Sequence, residues 1–225
     1  MSHVVIVGAD RGIAAGLVRE YLRRGDQLTE VCQHAGDAWQ DVPDVRVVPA
    51  IDVTSDAAVN HMADLMQDAS IDVLIHVAGI GATDKWGQFD FDAMLQHYNL
   101  NALGPLRVVN ALSANFAPGA RIGIVTSRMG SLGDNQSGRM YSYRMSKAAA
   151  NMLGINLYHQ FRDRDVYVKL LHPGTVATQM TRQAPQWDSF TSPDESAAGL
   201  ARQMDHLGPD TPPEFRHQDG TLLPW

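Results

Sequence analysis

The chain has 225 residues, 44% of them hydrophobic and 19% charged, with a formal net charge of −7 and a single cysteine. This balance fits one α/β domain spanning residues 1–225 and excludes a disordered chain, a coiled coil or a disulfide scaffold. Cys32 by itself closes no intramolecular disulfide, and the acidic balance argues against nucleic acid, whose phosphates are bound by clustered Lys and Arg. No apolar run reaches the ~18 residues of a membrane span, and a first strand beginning at His3 leaves no room for a secretory leader. The expectation is a cytoplasmic protein with neither a membrane nor a nucleic-acid partner.

In chain order, β-branched runs predict strands at 3–7 (HVVIV), 27–32 (QLTEVC), 45–48 (VRVV), 71–77 (IDVLIHV), 121–126 (RIGIVT) and 166–171 (VYVKLL). Helical periodicity predicts helices at 11–24, 55–68, 90–116, 144–162 and 194–206, and the stretch 209–225 reads as a loop with a short edge strand. The last three main strands are nearly continuous apolar runs, as expected where helices cover both faces of a sheet. The alternation predicts a single Rossmann-type doubly wound parallel sheet with helices on both faces. Ligands in such sheets bind beyond the carboxyl ends of the strands, which directs attention to the loops after Val7, Val77, Thr126 and Leu171.

The first of these loops reads Val7-Gly8-Ala9-Asp10-Arg11-Gly12-Ile13-Ala14. Gly8 permits a sharp turn and Gly12 a close approach of the backbone to a pyrophosphate, with the following helix supplying N–H donors and a favourable dipole. Two glycines making a tight turn is the plainer alternative. A second motif is Tyr141-Ser142-Tyr143-Arg144-Met145-Ser146-Lys147, in which Tyr143 and Lys147 stand one helical turn apart on one face. A charge pair at ~4 Å and an effective dielectric of ~20 is worth roughly 4 kcal/mol, about three pKa units, so Lys147 is expected to poise Tyr143 as an acid/base near neutrality. A tyrosine packed on a lysine stem is the competing reading.

The glycine loop resembles that of the short-chain dehydrogenase/reductase family, with Ala14 where the third glycine usually stands. Further segments are similar in the same order and extend the resemblance over essentially the whole chain, closest to carbonyl-reductase-like and cell-signalling-factor-like members. Asp52-Val53 resembles the adenine-contacting pair, with a simple turn through Thr54 and Ser55 the equal alternative. His76-Val77-Ala78-Gly79 is similar to Asn-Asn-Ala-Gly, which leaves Ala78 and Gly79 the backbone role toward the cofactor. His76 is expected to replace an asparagine by hydrogen bonding, as a structural histidine and not a metal ligand; no metal site is expected. Ser127-Arg128-Met129-Gly130 resembles the segment whose serine binds the substrate oxygen, with Ser131 as fallback. Asn101-Ala102-Leu103-Gly104 resembles the segment whose asparagine supports the lysine through water, with Asn99 competing. Pro173-Gly174-Thr175-Val176-Ala177-Thr178 resembles the segment that closes over the nicotinamide, with Pro173, Gly174, Val176 and Thr178 as contacts.

The resemblance implies an NAD(P)-dependent oxidoreductase of a small carbonyl or alcohol substrate, with Tyr143, Lys147, Ser127 and Asn101 at the reaction and Tyr143 and Lys147 also touching cofactor. A catalytically silent dinucleotide-binding sensor or signalling protein is the alternative, and a sugar-nucleotide epimerase or dehydratase is disfavoured by the short stretch after Thr178. Cys32, Gln33 and His34 end the second strand without a carboxylate for a ribose hydroxyl, while Arg11 offers a cation to a 2′-phosphate, so NADP(H) is expected to be favoured over NAD(H). Met180, Trp187 and Phe190 are candidates for an apolar lid. An outward stripe including Met152, Ile155 and Leu157, together with the resemblance, predicts a homodimer or homotetramer.

Overall fold

The computed structural model describes residues 1–8, 11–34, 38–81 and 83–225. The elements run β1 (His3–Val7), α1 (Gly12–Arg23), β2 (Gln27–Val31), β3 (Val45–Val48), α2 (Asp56–Leu65), β4 (Ile71–His76), α3 (Phe91–Tyr98), α4 (Gly104–Ala111), β5 (Phe116–Val125), α5 (Tyr141–Phe161), β6 (Val166–His172), α6 (Pro193–Asp205) and β7 (Phe215–His217). The seven strands form one parallel sheet in the order β3-β2-β1-β4-β5-β6-β7. Successive strand residues face opposite sides. Val5 and Val7 therefore join one core with Met62, Val108, Val109 and Leu157. Val4 and Ile6 join the other with Leu17, Val18, Leu200 and Met204.

The chain leaves the β3 edge and returns through β4 on the other side of β1, so the strand order reverses between β1 and β4. Crevices open at such reversals because the flanking crossovers depart to opposite faces. Here Val7 pairs with His76, and the amides of Val77 and Ala78 both donate to the Val7 carbonyl, at 2.9 and 3.0 Å. The glycine loop and the Ala78-Gly79 turn are thereby brought into contact.

Several predicted boundaries change, three of them where they bear on the site or the core. The expected helix 90–116 is α3, a π-helical turn at Asn99–Leu103 and α4, ending at Ala111. Strand β5 begins at Phe116, not at 121; Pro118 and Gly119 look like a loop by composition but occupy its irregular end, where Gly119 takes φ 82° and donates to the Asp165 carbonyl at 2.7 Å. Helix α5 begins at Tyr141, ahead of the predicted 144, on a cap from a distant loop. Of the expected outward stripe, Met152 is 58% exposed but Leu157 is buried in the core. Gly154 brings α5 against β6, since a Cβ there would lie 2.4 Å from Leu170 Cδ2.

Candidate active site

A cleft of about 1310 Å³ lies across the carboxyl ends of the strands and is lined from the glycine loop to Trp187. Gly8 has φ 91°, and a Cβ on it would sit 2.8 Å from both Cα and N of Ala78. Gly12 has φ 59° and faces Thr178, whose Cγ2 would lie 3.4 Å from an added Cβ. Helix α1 starts at Gly12 with no side-chain cap and no acid in its first turn. Its leading N–H groups and the positive end of its dipole, flanked by Arg11 and Ile13, suit an anion at the cleft floor. The backbone cradle thus fits a dinucleotide pyrophosphate. Ala9 and Asp10 of this loop lie outside the described residues.

Cys32, Gln33, His34, Ile51, Asp52 and Val53 line one end. Asp52 makes the turn that was its alternative reading, its Oδ1 accepting from the amide and hydroxyl of Thr54 at 2.8 and 2.7 Å, and it borders the cleft. At the opposite end stand Ser127, Tyr143 and the loops after β4 and β6. Ser127 is buried, and its Oγ accepts the Met129 amide at 3.2 Å, so it holds its own turn while bordering the cleft. Ser131 is committed elsewhere, donating to the Trp225 carbonyl and accepting the Asp134 amide, both at 3.1 Å. Tyr141 packs on the rings of Phe89 and Trp86 at 5.2 and 5.9 Å, whereas Tyr143 borders the cleft.

Lys147 is buried, with Nζ 5.9 Å from the centroid of the Tyr143 ring and donating to the Val125 carbonyl at 3.2 Å. Burial lowers this ammonium to about 8. Burial likewise raises the Tyr143 phenol above its ordinary value, opposed by a hydrogen bond with Ser127. Lys147, 5.9 Å from the ring centroid, is not among the groups that lower the phenol in this geometry, so the attraction expected of a pair at ~4 Å does not act here. Asn101 sits in the π-helical turn, a feature that commonly re-aims side chains at functional sites. Its Oδ1 accepts from the Ile80 amide at 2.9 Å, and its Nδ2 donates to the Ile80 carbonyl at 2.9 Å and to Ser146 Oγ at 3.0 Å. A Cβ on Gly79 would lie 3.1 Å from Asn101 Oδ1 and 3.3 Å from Lys147 Nζ, so this glycine brings the three groups together.

The loop after β6 contributes Pro173, Gly174, Val176 and Thr178 to the cleft, with Gly174 at φ 83°. Met180 and Trp187 also line it; Met180 Cγ would meet a Cβ on Gly81 at 3.3 Å, and Trp187 Nε1 donates to the Thr178 carbonyl at 3.2 Å. Phe190, expected in the lid, is not among these lining residues; its neighbour Thr191 bridges to Val176. His76 is buried, and its Nε2 has no hydrogen-bond partner among the described residues, so the expected bracing bond is not made through that nitrogen. Burial, helped by the charge of Lys147, lowers it to about 3. Sequence reasoning missed His172 and Arg144, which also border the cleft. Position at the carboxyl end of β6 was the signal for His172, whose Nδ1 is buried without a partner among the described residues. No group of three or more potential metal ligands occurs among the described residues.

Comparison with known proteins agrees with this arrangement. The sequence pattern described as short chain dehydrogenase matches residues 2–189. Along the whole of both chains, the protein is 44% identical to the 1-hydroxy-2-glutathionyl-2-methyl-3-butene dehydrogenase of Rhodococcus sp. (strain AD45). It is 40% identical to the C-signal of Myxococcus xanthus over 69% of this chain and 93% of that one. Among solved structures, the NADPH-bound carbonyl reductase from chicken fatty liver superposes with a TM-score of 0.90 at 26% identity, covering 100% of this chain and 99% of that one.

Proposed function

The chain belongs to the short chain dehydrogenase family, and from that premise we propose that it interconverts a small alcohol and its carbonyl compound with Tyr143 as proton carrier and NADP(H) as the preferred cofactor. The observation that carries the reading is the convergence of Ser127, Tyr143 and the Ala78-Gly79 turn on the cleft that begins at the glycine cradle. The bound nicotinamide supplies or accepts the hydride. Everything else falls to the chain. Gly8, Arg11, Gly12 and Ile13 would hold the phosphates, Asp52 and Val53 the adenine end, Ala78 and Gly79 the middle, and Pro173, Gly174, Val176 and Thr178 the nicotinamide end.

For reduction, the Tyr143 phenol gives its proton to the substrate oxygen while Ser127 donates a hydrogen bond to the same atom. For oxidation, the phenolate accepts that proton. Lys147, with its ammonium lowered only to about 8, remains largely charged at neutral pH and stabilises phenolate as it forms. It also serves as a donor toward a cofactor ribose. Asn101 fixes Ile80 and Ser146 behind this pair and supports Lys147 through ordered water. Arg11 beside the cradle supports the preference for a 2′-phosphate.

The substrate end of the cleft carries Arg144 and Arg182 beside an Arg128–Asp134 ion pair, although the whole chain is acidic. With the Rhodococcus relative at 44% identity, this supports an alcohol bearing an anionic thioether such as a glutathionyl group. Assaying the purified protein with both oxidised cofactors against such an alcohol and against simple alcohols tests the reading. Faster turnover of the glutathionyl alcohol is expected; equal turnover of simple alcohols contradicts this substrate class. The exposed Leu95, Tyr98, Leu106, Met145 and Met152 of α3, α4 and α5 support a homo-oligomer joined through these helices, and a monomer by light scattering at micromolar concentration refutes it.

A further inference from the structure

Helix α5, which carries Tyr143, has an unusual start. Gly138, Arg139 and Met140 precede it with φ of 59°, 61° and 50°, three successive residues in the left-handed region. Two of them are not glycine, a conformation that costs energy and persists only where surrounding contacts impose it. A helix normally receives its first cap from an extended residue with a short polar side chain. Met140 at the cap position has neither property and makes no side-chain cap hydrogen bond.

The cap comes instead from the loop between β4 and α3. Asp84 Oδ2 accepts the Ser142 amide at 2.8 Å, and both carboxylate oxygens accept from the Ser142 hydroxyl, at 2.8 and 2.9 Å. Ser142 is buried and is the residue immediately before Tyr143. The same loop is held at its root by Asn101 on Ile80 and farther along by Phe89 against Tyr141, with ring centroids 5.2 Å apart. On the other side of Tyr143, Arg144 donates to the carbonyl of Gly138 at 2.9 Å and to Ser137 Oγ at 2.9 Å, bracing the left-handed turn. Tyr143 thus stands between two ties, one of which comes from the loop between β4 and α3.

We propose that Asp84 is a positioning residue for the reaction: by capping α5 at Ser142 from the loop between β4 and α3, it fixes the depth and direction of the Tyr143 phenol. The proposal rests on the role given above to Tyr143 and adds a residue to it. A carboxylate suits this position because the unpaired amides and the dipole at a helix start favour negative charge. A reactive group displaced by ~1 Å loses about 10²-fold in rate, so release of this tie acts on turnover far more than on ground-state binding.

The test compares Asp84→Ala, Asp84→Asn and Ser142→Ala for kcat, KM, cofactor Kd and hydrogen exchange of the segment 139–147. Asp84→Ala is expected to lower kcat by about 10- to 100-fold while KM and cofactor Kd stay within about threefold, and to speed exchange of the segment at least ~10-fold. Asp84→Asn retains an oxygen that accepts the Ser142 amide and restores kcat to within about threefold of the wild type. Ser142→Ala keeps the amide bond to Asp84 and loses the hydroxyl bonds, giving a kcat between the two; if Asp84→Ala does not fold, these two variants decide. Wild-type kcat in Asp84→Ala, unchanged exchange, or Asp84→Asn as slow as Asp84→Ala overturns the proposal. Exchange reports the cap whether or not the protein turns over, so a failure of Tyr143 as proton carrier, seen as an active Tyr143→Phe, is distinguishable from a failure of Asp84 to hold the helix.

Discussion

Replacing Gly130 by alanine tests how closely the Ser127 turn is pressed against the helix that bears Tyr143 and Lys147. A Cβ at residue 130 would lie 2.6 Å from the Lys147 carbonyl carbon, 2.7 Å from its oxygen and 2.9 Å from the Ala148 nitrogen. All three atoms are helix backbone, so no side chain can turn aside. Ordinary carbon contacts lie at about 3.5–4.0 Å, and the turn must therefore retreat by roughly 1 Å. Overpacking of this kind costs about 1–3 kcal/mol, and a chain of this length loses roughly 2–4 °C in Tm per kcal/mol. The catalytic cost is larger, because ~1 Å between groups that must converge on one substrate oxygen is worth about 10²-fold in rate. Steady-state kinetics and a thermal scan on Gly130→Ala read both effects. A variant with wild-type kcat/KM refutes the placement of Ser127 in the reaction geometry.

Because burial holds the Tyr143 phenol above its ordinary value, the protonated acid for reduction is present at neutral pH and the base for oxidation is scarce. Oxidation is expected to accelerate up to about tenfold per pH unit above pH 7 while reduction stays flat, and an oxidation rate independent of pH between 7 and 9 contradicts this. His76 and His172 stay neutral in the folded protein down to about 3 and about 4, held there chiefly by burial. The unfolded chain binds protons at both near pH ~6.5, so stability falls as pH drops below that value, by up to about 1.4 kcal/mol per pH unit for each histidine. Urea midpoints unchanged between pH 7 and 5 sink this reasoning. Arg11→Ala is expected to weaken NADPH about tenfold and leave NADH unaffected, from the lower end of about 1.5–3 kcal/mol for a charge-assisted hydrogen bond. Tighter calorimetric binding of NADH by the unaltered protein contradicts the preference.

The sheet was readable because its strands are dense in Val, Ile and Leu and are separated by periodic helical segments. The same local logic failed at Phe116–Ala120, where Pro118 and Gly119 mimic a loop while Phe116 pairs with Ile71 across the sheet. It failed again at the start of α5, whose cap is supplied by Asp84, 58 residues away from Ser142. In the cleft, Gly8, Gly12, Ser127 and Thr178 are legible from short motifs after strand ends, and Tyr143 from its spacing to Lys147 at a helix start. The Tyr143 acidity is not legible from spacing alone, since one helical turn brings Lys147 near but says nothing of the desolvation both groups undergo. Leu157 likewise shared a periodic stripe with Met152, and only tertiary packing separates the buried one from the exposed one.

The central claim is that Tyr143 carries the proton, and Tyr143→Phe tests it most directly because only the phenolic hydroxyl is removed from a ring that otherwise fits. The measurement is kcat with NADPH and a turned-over carbonyl substrate, set beside calorimetric NADPH affinity and the same assay on Tyr141→Phe. A kcat lowered at least ~10²-fold in Tyr143→Phe is expected, with cofactor affinity retained and Tyr141→Phe nearly normal. Near-normal turnover in Tyr143→Phe, or a loss confined to Tyr141→Phe, contradicts the account.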